Sequence, residues 1–149
     1  MKTNYPISSV LTHKISAVWS IAPEATVFEA IKLMAEKNIG SLLVMSGGKL
    51  AGVITERDYT RKVALAGKTS KETRVREIMP RELTTVTPDD SVEECMRMMT
   101  EHRVRHLAVV EGDNVVGVVS IGDLVNWIIS TQNAQLEQME QYISGSVTT

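Results

Sequence analysis

Stretches with helical spacing of apolar residues and short β-rich runs follow one another along this chain in a fixed order, with turn residues between them, and that order occurs twice. The predicted string is strand, helix, strand, strand, helix. In the first copy AVWSI (17–21) reads as a short strand, and TVFE (26–29) opens a helix with a Thr-x-x-Glu capping box that runs to about Lys37. SLLVM, the turn SGGK and LAGVIT follow as two strands joined by glycines, which favours a hairpin. In the second copy SVEE is expected to open the helix at Ser91 with the same capping box, and HLAVV, EGDN and VVGVVS repeat the hairpin.

Shifting the sequence against itself by 65 residues aligns Pro23 to Asp58 with Pro88 to Asp123 without a gap, and eleven of those 36 positions are identical. The identities include Val27/Val92, Met34/Met99, Leu42/Leu107, Gly52/Gly117 and Asp58/Asp123, so the chain contains a duplication. A lone copy of about 60 residues leaves one sheet face bare, which predicts that the copies pack on each other through it as a pseudo-twofold pair. The expected fold class is therefore α/β of the α+β type. Two βαββα repeats pack sheet to sheet over residues 8–66 and 67–130, with a helical extension and tail over 131–149. Between the copies, ALAGKTSKETRVREIM leads into a short amphipathic turn at Val75 to Met79, and PISSVLTHK holds the matching place before the first copy. After the second copy, Val125, Ile128, Ile129, Leu136, Met139 and Ile143 form one stripe of a long helix. Two covers for that stripe stay open at this point, the chain's own module and a second subunit.

Composition narrows the partners. Apolar residues make up 43% of the chain and charged residues 23%, with a formal net charge of -2. That profile fits an ordinary soluble protein with no pull towards nucleic acid or a membrane surface. Any anionic ligand must be held by local charge. No apolar run suits a signal peptide or approaches the ~20 residues of a membrane span, and a cytoplasmic address is expected. The single cysteine, Cys95, excludes an internal disulfide, and three scattered histidines leave no metal-ligand spacing.

VITERDY (53–59) and VVSIGDL (118–124) share one skeleton: two apolar residues, a hydroxyl, two spacers, an acid. Thr55 and Ser120 each stand where a strand should end and a helix begin, so each can cap that helix with Asp58 or Asp123 in its first turn. The same geometry can hold a ligand. A helix start presents N–H groups to phosphate, and a carboxylate beside it can accept two ribose hydroxyls. The two uses are compatible. The small residues Gly52 and Gly117 ahead of each skeleton, which a cap does not need, favour the ligand, as does a dyad that turns two such ends towards one cleft.

The duplicated string with its G-V-I-T-E-R-D and G-V-V-S-I-G-D motifs resembles a tandem pair of CBS (cystathionine beta-synthase) domains over essentially the whole chain. ITERDYTRKV, GKTSK, VREIM, MTEHRVRHLAVV and SIGDLV are particularly similar to stand-alone bacterial CBS-pair proteins and their plant organellar relatives. The resemblance implies a regulatory module that binds adenosyl ligands in clefts between the repeats. AMP, ADP or ATP come first, with NAD or S-adenosylmethionine less often. It further implies that Asp58 and Asp123 each hold a ribose diol and that Thr55 and Ser120 hold phosphate oxygens. In such pairs a cleft combines the hydroxyl-x-x-acid of one repeat with the first two strands of the other. Thr55 and Asp58 are then expected to face Thr84, Val104, Arg105 and His106, while Ser120 and Asp123 face Trp19, Ile39, Gly40 and Ser41. Arg105 and His106 match positions of phosphate-binding cations in the family, whereas the aligned Gly40 and Ser41 carry no charge, so phosphate should favour the Arg105 side. Arg57 adds a fork-shaped donor at that helix start, unless it simply faces solvent. Trp19 offers a face for an adenine or nicotinamide ring and serves equally as a core strand residue. Arg61 and Lys62, one turn further on, read as a solvated face.

Other features point away from chemistry. Gly67-Lys68-Thr69 imitates the end of a phosphate loop, but residue 62 is lysine where that motif begins with glycine. Cys95 aligns with Ala30 on the inward side of a capped helix and reads as a small buried hydrophobe. No nucleophile, base and orienter constellation is visible, so an enzyme is not expected. The reading is a homodimeric sensor of adenine nucleotides that changes conformation on binding and acts on a separate, unidentified protein. The alternative is a non-catalytic dimeric scaffold with vestigial clefts. Neither nucleic acid nor a membrane is expected as a partner.

Overall fold

In a computed structural model, residues 4–13 and 18–143 are described, the side chains of His13, Tyr142 and Ile143 excepted. In chain order the elements are α1 (Ile7–His13), β1 (Ser20–Ile21), α2 (Val27–Lys37), β2 (Ser41–Ser46), β3 (Lys49–Thr55), α3 (Glu56–Tyr59) with a π-helical turn over Thr60–Ala64, α4 (Val75–Ile78), β4 (Thr85–Val86), α5 (Val92–His102), β5 (His106–Glu111), β6 (Asn114–Ser120) and α6 (Ile121–Ile143). Each repeat builds one three-stranded sheet, ordered β1-β2-β3 and β4-β5-β6. The short first strand runs parallel to the second, and the second and third form an antiparallel hairpin. The first strand is shorter than AVWSI suggests. Only Ser20 and Ile21 pair, opposite Leu43 and Val44, and Ala17 lies outside the described residues.

Local chemistry explains the boundaries. Thr26 caps α2 by accepting from the Glu29 N–H at 3.2 Å, while Glu29 Oε2 accepts the Thr26 N–H at 3.3 Å. Ser91 caps α5 by accepting from the Glu94 N–H at 3.0 Å, but the Glu94 carboxylate turns to Arg97 instead of closing a box. The helices end on Asn38 (φ 53°) and Arg103 (φ 55°), aligned residues in the left-handed region, where asparagine sits readily and arginine stores strain. The first hairpin turns on Gly47 (φ 57°) and Gly48 (φ 80°), which only glycine adopts cheaply in succession.

The strands do not alternate strictly between buried and exposed, because both faces of each sheet are covered. Leu42, Val44 and Ile54 point into one core with Val27, Ala30 and Met34 of α2. Leu43 and Val53 are paired neighbours on the opposite face, and β3 meets β5 of the second sheet. Each core is finished by the helix that precedes the other repeat. Ile7 and Val10 of α1 pack with Val86, Val92, Cys95, Met99, Leu107, Val109 and Val119 of the second repeat. Val75 and Ile78 of α4 pack into the core of the first. Backbone bonds seal both exchanges: Ile7 N–H to Asp90 O at 2.8 Å and Val92 N–H to Tyr5 O at 2.8 Å on one side, Val75 N–H to Ala25 O at 2.9 Å and Val27 N–H to Thr73 O at 2.8 Å on the other. The repeats are thus clasped by their own connecting segments.

Cys95 occupies the same inward position as Ala30, and both are fully buried. Burial first, and then the charges of Asp90 and Glu94, push its thiol from 9.0 up to about 12. Between those values the folded chain keeps a proton that the unfolded chain has lost, so this group's contribution to stability falls as pH rises through that window. Urea titrations at pH 8 and pH 10.5 should show a smaller loss in Cys95→Ala, which installs the first repeat's residue, than in the parent. Rapid maleimide labelling of the native thiol at pH 8 contradicts this burial.

After Asp58 and Asp123 the two repeats diverge. The first passes through one α-turn and the π-helical turn, closed by the Leu65 N–H on Thr60 O at 2.9 Å, and then enters the linker. The second continues as the 23-residue α6. Along the predicted stripe, Ile128 packs on the second core, whereas Val125, Ile129, Leu136 and Met139 are exposed. Ile143 lies outside the described side chains. Among the described residues no helix is long and apolar enough to cross a membrane.

Candidate functional site: two clefts between the repeats

Both skeletons close the same local structure. Thr55 ends β3, and its hydroxyl accepts the Asp58 N–H at 3.2 Å, while Asp58 Oδ2 accepts the Thr55 N–H at 2.9 Å and the Thr55 hydroxyl at 3.1 Å. Ser120 ends β6, accepts the Asp123 N–H at 3.1 Å and donates its own N–H to Asp123 Oδ2 at 2.8 Å. The following amides are anchored across the sheet, Glu56 N–H to Gly40 O at 3.1 Å and Ile121 N–H to Arg105 O at 2.9 Å. The hydroxyl and the acid are therefore reciprocal caps, and each acid also lines a cleft.

Thr55, Arg57 and Asp58 line a cleft of about 750 Å³ together with Thr84, Val104, Arg105 and His106 of the second repeat. Five Lys or Arg side chains edge it, Arg57, Arg61, Lys62, Arg103 and Arg105, against the acids Glu56, Asp58 and Glu82. We call it the basic cleft. Ser120 and Asp123 line a second cleft of about 370 Å³ with Trp19, Ile39, Gly40 and Ser41 of the first repeat. Leu11, Val18, Leu43, Val116 and Val118 contribute apolar side chains to its walls beside the polar Asn38, Ser41, His106, Ser120 and Asp123, and among the described residues no Lys or Arg lines it. This is the tryptophan cleft. Both volumes fall in the range of small-molecule sites. Gly40 and His106 line both clefts, and the imidazole Nε2 lies 4.0 Å from where a Gly40 Cβ would stand.

Several sequence expectations change here. Gly52 and Gly117 were read as small residues that favour a ligand; Gly117 does line the tryptophan cleft, and each glycine also makes room for a side chain of an exchanged segment. A Cβ at Gly117 would stand 2.7 Å from Leu11 Cδ2 of α1, and one at Gly52 would stand 3.2 Å from Met79 Sδ beside α4. Lys62 is not simply a solvated residue. Its ammonium donates to Ile78 O at 2.8 Å and pairs with Asp58 Oδ1 at 3.3 Å. Trp19 is not a core residue: it lies exposed on the cleft wall with the Lys37 ammonium 4.2 Å from its ring centroid. Asn38 and Arg103, each a left-handed helix end facing a cleft, went unremarked in the sequence. Their shared offset of 65 residues was the available signal. The basic cleft's α3 is a single turn, so its attraction for anions rests on side chains more than on a helix dipole.

Comparison with known proteins fits this architecture. The sequence model of the CBS domain matches residues 7–65 and 75–130, and the chain belongs to the CBS domain family, as a tandem pair. It is 42% identical over 125 residues, 80% of its length, to the mitochondrial CBS domain-containing protein CBSX3 of Arabidopsis thaliana, and it spans 61% of that relative. A putative signal-transduction protein with CBS domains from Burkholderia ambifaria superimposes with a TM-score of 0.82 at 46% identity, over 86% of this chain and 96% of that one. A hexameric CBS-CP12 protein from bloom-forming cyanobacteria gives 0.73 at 31% identity, over 81% of this chain and 69% of that one. The chain is a CBS-pair module of the regulatory kind.

Proposed function

We propose that this chain is a non-catalytic sensor of adenine nucleotides, AMP, ADP or ATP foremost and NAD second. Ligand held between the repeats favours the arrangement that closes on it and so modulates a separate protein. The observation that carries the reading is the make-up of the clefts: in each, a rigid hydroxyl-acid pair of one repeat faces strand residues of the other. A ligand that touches both repeats biases their arrangement by its differential affinity for it, and by no more. Asp58 and Asp123 serve as ribose acceptors, Thr55 and Ser120 contact phosphate oxygens, and Arg57 and Arg105 supply charge on the basic side. His106 and Thr84 shape that cleft, and Trp19 and Ile39 give the other an apolar wall. The exposed apolar residues of α6 suit a homodimer, and we place the protein in the cytoplasm.

Thermal unfolding with AMP, ADP, ATP and NAD tests the reading. A nucleotide present at 100 times its dissociation constant should stabilise the fold by about 2.7 kcal/mol and be recovered chemically unchanged. The exposed stripe of Val125, Ile129, Leu136 and Met139 also favours a second reading, a scaffold with vestigial clefts. Absence of any shift at millimolar nucleotide selects it.

A further inference from the structure

We propose that Lys62 makes the basic cleft selective for phosphate-bearing ribosides, by holding the ribose-binding carboxylate until a phosphate draws the ammonium away. This rests on the reading of Asp58 as ribose acceptor. Asp58 Oδ2 already accepts two donors, the N–H and the hydroxyl of Thr55, which fills its two lone-pair directions. Oδ1 is the oxygen left for a diol, and it faces the Lys62 ammonium at 3.3 Å. That ammonium is held in turn by Ile78 O at 2.8 Å. A two-handed grip by ribose hydroxyls on Asp58 therefore requires Lys62 to move. A neutral riboside offers the ammonium nothing in return, and its departure leaves a charge to be resolvated. A phosphate offers a charge-assisted partner, in a cleft whose five cations, Arg57, Arg61, Lys62, Arg103 and Arg105, outnumber its three acids, Glu56, Asp58 and Glu82. The lysine side chain is 44% exposed against 13% for Asp58, so its flexible stem is free to swing while the acid stays capped. The duplication supplies the comparison. Trp127 stands 65 residues on from Lys62, its ring edge-on to Tyr5 at 5.6 Å between centroids, and no ammonium can act from that position. The tryptophan cleft, where Ser120 is the phosphate contact, accordingly lacks this ammonium-gated selection.

Isothermal titration of adenosine and ATP into full-length Asp123→Asn protein, in which the basic cleft alone keeps its acid, tests this. ATP should bind at least about tenfold more tightly than adenosine. Lys62→Met, added to that variant, should gain affinity for adenosine and lose it for ATP, narrowing the ratio to about twofold. Lys62→Arg should keep the ratio wide, and circular dichroism should show both variants folded. A purely structural lysine moves both ligands together, so equal changes for adenosine and ATP, or an unchanged ratio, overturn the proposal and leave the sensor reading standing. Failure of the parent protein to bind either ligand at millimolar concentration overturns both.

Discussion

Replacing Ile7 with alanine will destabilise the second repeat, although Ile7 precedes the first. The side chain is fully buried among Val86, Val92, Leu107 and Val119, and truncating a buried isoleucine costs about 2–5 kcal/mol in transfer and cavity terms. The mirror substitution, Ile78→Ala, removes an equally buried side chain from the core built by Val27, Leu42 and Ile54, and should cost a similar amount. Urea denaturation gives the magnitudes, and hydrogen exchange gives the location. Amides of Leu107 and Val119 should lose protection first in Ile7→Ala, and those of Leu42 and Ile54 first in Ile78→Ala. A cost under about 1 kcal/mol, or loss of protection in the repeat next to the substitution in sequence, contradicts the exchange.

Asp58→Asn and Asp123→Asn will each weaken nucleotide binding in their own cleft by about ten- to a hundredfold, the consequence of losing roughly 1.5–3 kcal/mol of hydrogen bonding to a charged acceptor. Asparagine is the informative replacement because the aspartates have a second role. Asp58 and Asp123 accept the N–H groups of Thr55 and Ser120, and an asparagine oxygen can continue to do so. Alanine removes cap and ligand contact together and should also lower stability by about 0.5–2 kcal/mol. Calorimetry with AMP on the asparagine variants therefore isolates the ligand role. Parental affinity in both, at parental stability, contradicts it and leaves two caps.

The sequence made the repeated framework legible because its signals are local. The Thr26 and Ser91 caps, the Gly47-Gly48 turn and the hydroxyl-acid skeletons depend on neighbours within a few residues, and duplication shows each signal twice. The facing of Thr55 towards Thr84 and Val104, and of Ser120 towards Trp19 and Ile39, came from family resemblance, since no periodicity reports which strand lies across a cleft. What stayed hidden depends on distant partners. That Leu11 packs on Gly117 and Met79 on Gly52 follows from the exchange of α1 and α4, which a linear pattern does not encode. Lys62 looked solvated because its carbonyl partner, Ile78, lies sixteen residues away. The π-helical turn over Thr60–Ala64 has no apolar period of its own to distinguish it from a helical continuation.

Amide chemical-shift mapping with AMP tests the central claim most directly, because it reads both walls of a cleft in one titration. The account predicts that resonances of Thr55 and Asp58 move together with those of Thr84, Val104 and Arg105, with a shared binding isotherm, or that Ser120 and Asp123 move with Trp19 and Ile39. Shifts confined to one repeat, or to the exposed face of α6 with both clefts silent, contradict it.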